Sequence, residues 1–409
     1  MGFAELKNPT PFEVGLRDEV RSAPHADELA WNAFAANGLP HRRLEGWKWT
    51  DLRTAAANTA ETPNAIDASA ASLPPAFAAG DIEASAIVTI TDGKIDVARE
   101  ANEQSLSVRV FENDFTPIAD HAISDLNRAL SPAVARINVT GDIEKPIIVR
   151  HRAGTGRHGG RIDVHIDENA SATLIELIES GDGAFHHMGA RFTVEKEGVL
   201  TRSILQNAEA GAVVVGLSAV TLSEKATLKQ ASIGFGGKLV RLETQVNAVG
   251  SEVNVSMDSV AMLEDARHAD FSTIVRHECP GVVTRQRHKG VADQKAKAIF
   301  QGKFFVARAG QQTDADMQAK ALLLSDHAQA NHKPELEIYA DDVECAHGST
   351  CGALDEDALF YMRQRGLDDA TARALLIEAF VGEVIDDMDG AGADLARSML
   401  DQWLSGRLG

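Results

Sequence analysis

The chain has 409 residues, 44% of them hydrophobic and 24% charged, with a formal net charge of −20; such a chain is soluble and usually divides into two or three domains. An acidic surface repels nucleic-acid phosphates and anionic lipid, and no apolar run approaches the roughly 20 residues of a membrane helix, so neither nucleic acid nor membrane is an expected partner. Three cysteines (Cys279, Cys345, Cys351) cannot make a disulfide framework and the opening "MGFAELKNPTPFEVGLRDEV" has no apolar signal core, which together point to a cytoplasmic protein.

Residues 1 to about 60 read as helical. In "DELAWNAFAANGLP" Leu29, Trp31, Phe34 and Ala35 recur near helical spacing, and Gly38 and Pro40 form the stop. "LEGWKWTDL" follows as an aromatic knot, and the Ala- and Pro-rich stretch 55–81 reads as a linker.

From about 85 to 345 the pattern changes to short alternating strands. "RIDVHID" sets Ile162, Val164 and Ile166 on one face, and "ATLIELIE" resumes after a turn. The turns "DENASATL", "EKEGVLTR", "SEKATLKQ" and "VGSEVNVS" each place polar residues beside a small one. Taking Ala170, Gly198, Ala226 and Gly250 as markers gives intervals of 28, 28 and 24 residues. Such a period is the signature of a solenoid, and strands without intervening helices favour a β-helix over a leucine-rich repeat; a β-sandwich is the alternative.

After Gly352 the chain returns to helices. Asp355 is placed to cap "EDALFYMRQR", Gly366 to stop it, and Asp368 to cap "DATARALLIEAFVGEVIDDM". There Leu376, Phe380, Val384 and Met388 repeat at i, i+4, with Ile377, Val381 and Ile385 beside them. Such a stripe ordinarily packs on its own core; a docking face for a partner, centred on Leu376, Phe380 and Val384, is the other reading. "ADLARSMLDQWLSGRL" closes the chain as a last helix. The expected domains are 1–84, 85–352 and 353–409.

The stretch with the most chemistry is "DVECAHGSTCG". Strand alternation puts Cys345 and His347 on one face, which makes half a site for iron, zinc or Cu(I). Cys351, His327 and His332 are the nearest further donors in sequence. A closed metal site, a Cys–His nucleophilic pair, ordinary core packing and a half-site completed by a partner all fit the residues. Elsewhere "GFGGKL" (234–239) does not open a helix and reads as a tight β-turn. In "HHMGAR" His186 and His187 fall on opposite strand faces. No GxxxxGK[ST] phosphate loop is present.

Several separated blocks then carry a family resemblance. "GLPHRRLEGWKWTDL", "ISDLNRAL", "EKPIIVRH", "RQRHKGVADQKAKAIFQGKFFVARAGQQTDADMQAKALLLS" and "NHKPELEIYADDVECAHGSTCGALDEDALFYMRQRGL" occur in order and resemble the SufB/SufD family of the SUF iron–sulfur cluster assembly system. The absence of cysteine from "SDHAQANHKPELEIY" favours the SufD branch, because the sulfur-accepting cysteine belongs to SufB. The resemblance implies a mainly β chain with a right-handed parallel β-helix core between N- and C-terminal helical domains. It implies a non-catalytic scaffold that pairs with a SufB-like subunit through the β-helix and docks a SufC-like ATPase through its C-terminal helices. It places His347, and less strongly Cys345, at a transient iron–sulfur cluster shared with SufB. Cys351 departs from the family's usual aliphatic residue. A flavin in the assembled complex and a homodimer of the isolated chain are further expectations. A self-contained metal protein and a polysaccharide-active β-helix enzyme are the competing classes.

Overall fold

The computed structural model describes residues 2–23, 26–57, 59, 82–99, 103–112, 114, 116–131 and 133–407. Most of the linker expected at 55–81 therefore lies outside the described residues. The chain opens with α1 (Pro11–Ser22), α2 (Glu28–Asn37) and α3 (Leu52–Ala56). Next come β1 (Ala86–Thr91), β2 (Lys94–Arg99), β3 (Leu106–Glu112), α4 (Ala122–Leu130) and β4 (Ala133–Val139). The regular part runs through β5 (Ile147–Ala153), β6 (Gly156–Ile166), β7 (Ser171–Ser180), β8 (Ala184–Val194), β9 (Val199–Ala208), β10 (Val213–Leu222), β11 (Thr227–Gly234) and β12 (Leu239–Ala248). It continues through β13 (Asn254–Leu263), β14 (His268–His277), β15 (Val283–Ala292), β16 (Lys297–Val306), β17 (Thr313–Leu323), β18 (Gln329–Ile338) and β19 (Val343–Gly352). Helices α5 (Glu356–Gln364), α6 (Asp369–Ile385) and α7 (Gly390–Ser405) finish it.

Successive strands alternate between two sheets, in the orders β19-β17-β15-β13-β11-β9-β7-β5-β1-β2 and β18-β16-β14-β12-β10-β8-β6-β4-β3. Pairing from β5 and from β4 onward is parallel throughout. A chain that adds one strand to each sheet per turn is a parallel β-solenoid, here of about 8 turns, and the sandwich alternative falls.

The coil length follows from the corners. Ser171 pairs with Val199, and Val199 with Thr227, steps of 28 residues. Thr227 pairs with Asn254, a step of 27, so the residue equivalent to Ala170, Gly198 and Ala226 is Val253 and not Gly250. Each corner turns on one residue in the left-handed region: Asn169, Glu197, Lys225 and Glu252, all with φ between 57° and 60°. Stacked corners are bonded to one another, as in Glu197 N–H to Glu224 C=O and Lys225 N–H to Ser251 C=O. Three of these four residues are charged rather than Gly or Asn, so the left-handed conformation is held by the stack more than by intrinsic preference.

The lumen is filled by an aliphatic core that includes Ile137, Val164, Phe192, Leu200, Val220, Leu228, Val246 and Met257. The outer face of the β8–β10–β12 sheet carries Phe185, Val213, Val215 and Leu217, which bury Leu16, Trp31, Phe34 and Leu126 of the helices α1, α2 and α4. Tryptophan-rich "LEGWKWTDL" is tied to the same face. Thr50 donates to Asp270 at 2.5 Å, and the Arg241 guanidinium lies 4.1 Å from the Trp47 ring centroid. The opposite sheet offers Ile175, Leu177, Leu205, Ile233, Val260, Met262 and Val291 to Val381, Val384, Leu395 and Leu400 of α6 and α7. Asp355 and Asp368 cap α5 and α6 as the sequence indicates, each accepting from backbone N–H groups of the first turn.

Candidate functional site

The two ends of the solenoid differ. At the C-terminal end, among the described residues, β18 and β19 have no further strand beyond them. Gln329 N–H bonds to Ala296 C=O and Tyr339 N–H to Val306 C=O. Odd-numbered residues of β18 therefore face β16, and the backbone groups of Ala330, His332, Leu336 and Ile338 face the open edge. Pro334 shares that edge and has no N–H to offer.

On β19 the side chains of Cys345, His347, Ser349 and Cys351 take the lumen-facing positions, in register with buried Ala315, Met317, Ala319 and Ala321 of β17. Where the neighbouring strand β17 places Ala and Met, β19 places two thiols, an imidazole and a hydroxyl. Cys345 is half-buried and packs on the end of the lumen core, while His347 is exposed. Burial pushes the Cys345 thiol above its ordinary value, and the charge of Asp314 adds to that, against a backbone hydrogen bond from Ala315. A thiol so placed is protonated near neutral pH, which disfavours a self-activated nucleophile; an arriving metal would displace the proton. Cys351 is exposed, with its thiol also raised by partial burial.

His327 is exposed on the turn after β17. Cys345 pairs near the start of β17, so the two lie at opposite ends of the coil. His332 does reach this end: its Nδ1 is 2.9 Å from Ser349 Oγ. Among the described residues no group of three or more His, Cys, Asp or Glu side chains is placed to hold a metal ion. A pair of soft donors on an edge strand is what remains.

The α6 stripe divides in two. Val384 is fully buried against the chain's own sheet and α7, so it has no surface to offer a partner; a helical stripe shows which face is apolar but not what covers it. Leu376 and Phe380 are half-buried, the Phe380 ring lying 4.5 Å from Lys289 Nζ. Phe360 and Tyr361 of α5 and Leu375 of α6 stay exposed, at 58%, 59% and 41%.

His186 and His187 lie on opposite faces as expected, the first on Ser180 in the lumen and the second on Asn127 of α4. Phe235–Lys238 is an irregular link between β11 and β12 with Gly236 at φ 70° and a bend at Lys238, neither a helix start nor a hydrogen-bonded tight turn. Sequence reasoning missed the buried polar row of the lumen. Arg202 donates to Glu176 at 2.6 Å, to Gln230 at 2.9 Å and to Ser218 at 2.9 Å, and Glu176 lies 3.4 Å from His151. The signal was the coil period: Glu176, Ile204 and Ser232 align in one column, and Arg202 and Gln230 in the next.

A family model described as "SUF system FeS cluster assembly, SufBD core domain" matches residues 150–380. The chain is 29% identical over 406 residues to the iron–sulfur cluster assembly protein SufD of Escherichia coli, covering 93% of this chain and 92% of that protein. It is 34% identical over 174 residues to an iron–sulfur cluster assembly SufBD family protein of Synechocystis, covering 42% of this chain and 38% of that protein. Chloroplastic protein ABCI7 of Arabidopsis thaliana is 30% identical over 257 residues, 60% of this chain and 54% of that protein.

Proposed function

The chain belongs to the SufBD core family of the SUF iron–sulfur cluster assembly system, and from that premise we propose that it is a scaffold subunit of a SufBCD-type complex. Its open solenoid end pairs with a SufB-like β-helix, and Cys345 and His347 supply this chain's half of a cluster site shared across that junction. The C-terminal helices dock a SufC-like ATPase. The accessible part of that docking face is Phe360, Tyr361 and Leu375 with the half-buried Leu376 and Phe380; Val384 packs inward.

The observation that carries this reading is the last coil. Two ten-residue strands end with unpaired backbone, and a thiol and an imidazole stand on the lumen side of one of them. An unpaired edge is a template for another strand. Cys345 and His347 are too few to enclose a metal alone, and an incomplete shell lets a cluster leave for an acceptor.

The test is reconstitution with purified partner subunits. His347→Ala should fold, assemble and lose most cluster formation, measured by visible absorbance and iron content. Cys345→Ala should show the same separation less strongly, and Cys351→Ala little change. Parental cluster yield from assembled His347→Ala would remove His347 from the site. Phe380→Asp should weaken co-purification of the ATPase while circular dichroism stays parental; undiminished capture would move the docking face elsewhere.

A further inference from the structure

Ser349 stands in the lumen-facing row of β19 between His347 and Cys351, exposed at the open end of the solenoid. Its Oγ lies 2.9 Å from Nδ1 of His332 on β18. Among the described residues no other side-chain hydrogen bond joins these two strands. β19 is paired along one edge only, and this bond gives it a second attachment, to β18 of the other sheet. His332 is fixed in turn by T-shaped ring contacts with His288, at 5.7 Å and 83°, and with Phe300, at 6.5 Å and 82°. Its other ring nitrogen, Nε2, is buried and has no hydrogen-bond partner.

That unpartnered nitrogen decides how the His332–Ser349 bond runs. With its hydrogen on Nε2, a neutral ring buries an N–H that nothing accepts and takes the hydroxyl hydrogen of Ser349 at Nδ1. With its hydrogen on Nδ1, the ring donates to Ser349 Oγ and leaves only a lone pair without a partner. A buried N–H without an acceptor is the rarer defect, which assigns the hydrogen to Nδ1. Burial also holds the ring below its ordinary pKa, so it carries one hydrogen near neutral pH. A hydroxyl that accepts from His332 keeps its own hydrogen to donate. Ser349 is exposed and, among the described residues, no strand lies beyond β19, so that hydrogen is offered to whatever seats at the open end.

We propose that Ser349 is a further contact residue of the open-end site, a hydroxyl donor to the sulfur of an iron–sulfur species held there, with His332 its positioning residue. This rests on the reading that Cys345 and His347 supply half of that site. Two residues along a strand span about 7 Å, so the Ser349 hydroxyl adjoins the space that an occupant of His347 fills. Sulfur is the partner because the iron is the positive part of such a species, while its sulfides and thiolates carry the negative charge and accept hydrogen bonds. The reduced cluster is more negative by one charge and holds the bond more tightly, so the donor raises the reduction potential. A hydroxyl donor steadies the cluster without adding a metal ligand, and the shell stays incomplete.

Two measurements test it. In the isolated full chain, nitrogen NMR with labelled histidine reports the tautomer of each ring. The His332 signals, identified by their loss in His332→Phe, should show hydrogen on Nδ1 and should move in Ser349→Ala. Hydrogen on Nε2 would overturn the proposal, because the hydroxyl would then be spent on the ring. In the complex reconstituted with its partner subunits and loaded with cluster, Ser349→Ala should shift the reduction potential to more negative values. Ser349→Thr, which keeps the hydroxyl, should restore the parental potential. His332→Phe, or His332→Ala if the larger ring does not fit, should shift it in the same direction as Ser349→Ala, and the double variant no further than Ser349→Ala alone. An unmoved potential in Ser349→Ala, or no restoration in Ser349→Thr, would overturn the proposal. His347→Ala separates the two levels. Parental cluster formation in that variant removes the shared-site reading and this proposal with it, whereas loss of the cluster there beside an unmoved potential in Ser349→Ala removes this proposal alone.

Discussion

The same coil begins and ends the solenoid, and the two ends are finished in opposite ways. At the N-terminal end β2 pairs antiparallel with β1, and β3 antiparallel with β4. The parallel stack is thus closed off by strands that cannot continue it, and α4 and the helices before it cover the adjoining outer face. At the other end β18 and β19 run parallel and full length, and no residue of either is buried. Fold stability needs a covered end and an assembly site needs an open one. In the last step, from β17 to β19, the lumen row therefore changes from Ala and Met to Cys, His and Ser where it meets solvent.

The contrast breaks most sharply inside the stack. Glu176→Ala removes the carboxylate that holds Arg202 and leaves a buried guanidinium with only neutral partners. Removing one member of a buried pair costs roughly 3–5 kcal/mol, so urea unfolding should show a loss of that order. His347→Ala at the open end should stay within about 0.5 kcal/mol of the parent. Similar losses in both variants would mean that the last coil matters to the fold no less than the interior does.

Acid should act on the same interior. Burial lowers His187 to about 3 and His268 and His277 to about 4, against about 6.5 for the unfolded side chain. The unfolded chain takes up these protons first, so stability is level above pH 6.5 and declines as pH falls from there toward 4. Glu176 and Glu243 are held near 2 despite their burial, chiefly by Arg202 and Arg241 respectively. Their contribution is full above their unfolded values and is lost as pH drops from about 4.5 toward 2. The urea midpoint should therefore fall between pH 7 and pH 5 and more steeply below pH 4.5. His268→Gln should flatten the first decline, and an unchanged midpoint from pH 7 to pH 5 would refute it.

The smallest effect concerns the edge itself. Pro334→Ala restores the missing outward N–H of β18. The isolated chain should keep its stability within about 0.5 kcal/mol yet self-associate more, seen as a concentration-dependent rise in mass by light scattering. No rise would show that proline is not what blunts this edge.

Much of this architecture was readable because its signals are local. Period-two alternation set Cys345 and His347 on one face, and polar corners beside Ala170, Gly198 and Ala226 gave the coil length. Asp355 and Asp368 cap helices through contacts three residues away at most. The errors came where a partner is distant. Gly250 resembles the other corner residues but precedes the true equivalent Val253. Val384 belongs to an apolar stripe whose cover, the sheet, is far away in sequence. Thr50 and Asp270, or His288 and His332, meet only once the coils are stacked.

The helices α6 and α7 share one hydrophobic cluster with a face of the stack that includes Ile148 on β5 through Val291 on β15, with Leu322 of β17 at the margin and nothing from β19. A solenoid alone unfolds rung by rung, because each coil feels only its neighbours. Laid across the rungs, these helices act as a splint and make the spanned coils open together. The last rung lies beyond the splint, held at β18 by the exposed Lys333–Glu45 ion pair, and is expected to open before the spanned coils. Amide hydrogens of β18 and β19 should exchange by local opening while those of β7–β15 wait for a concerted one. A partner that seats on the final rung would then be the element that brings it under the same cooperative transition.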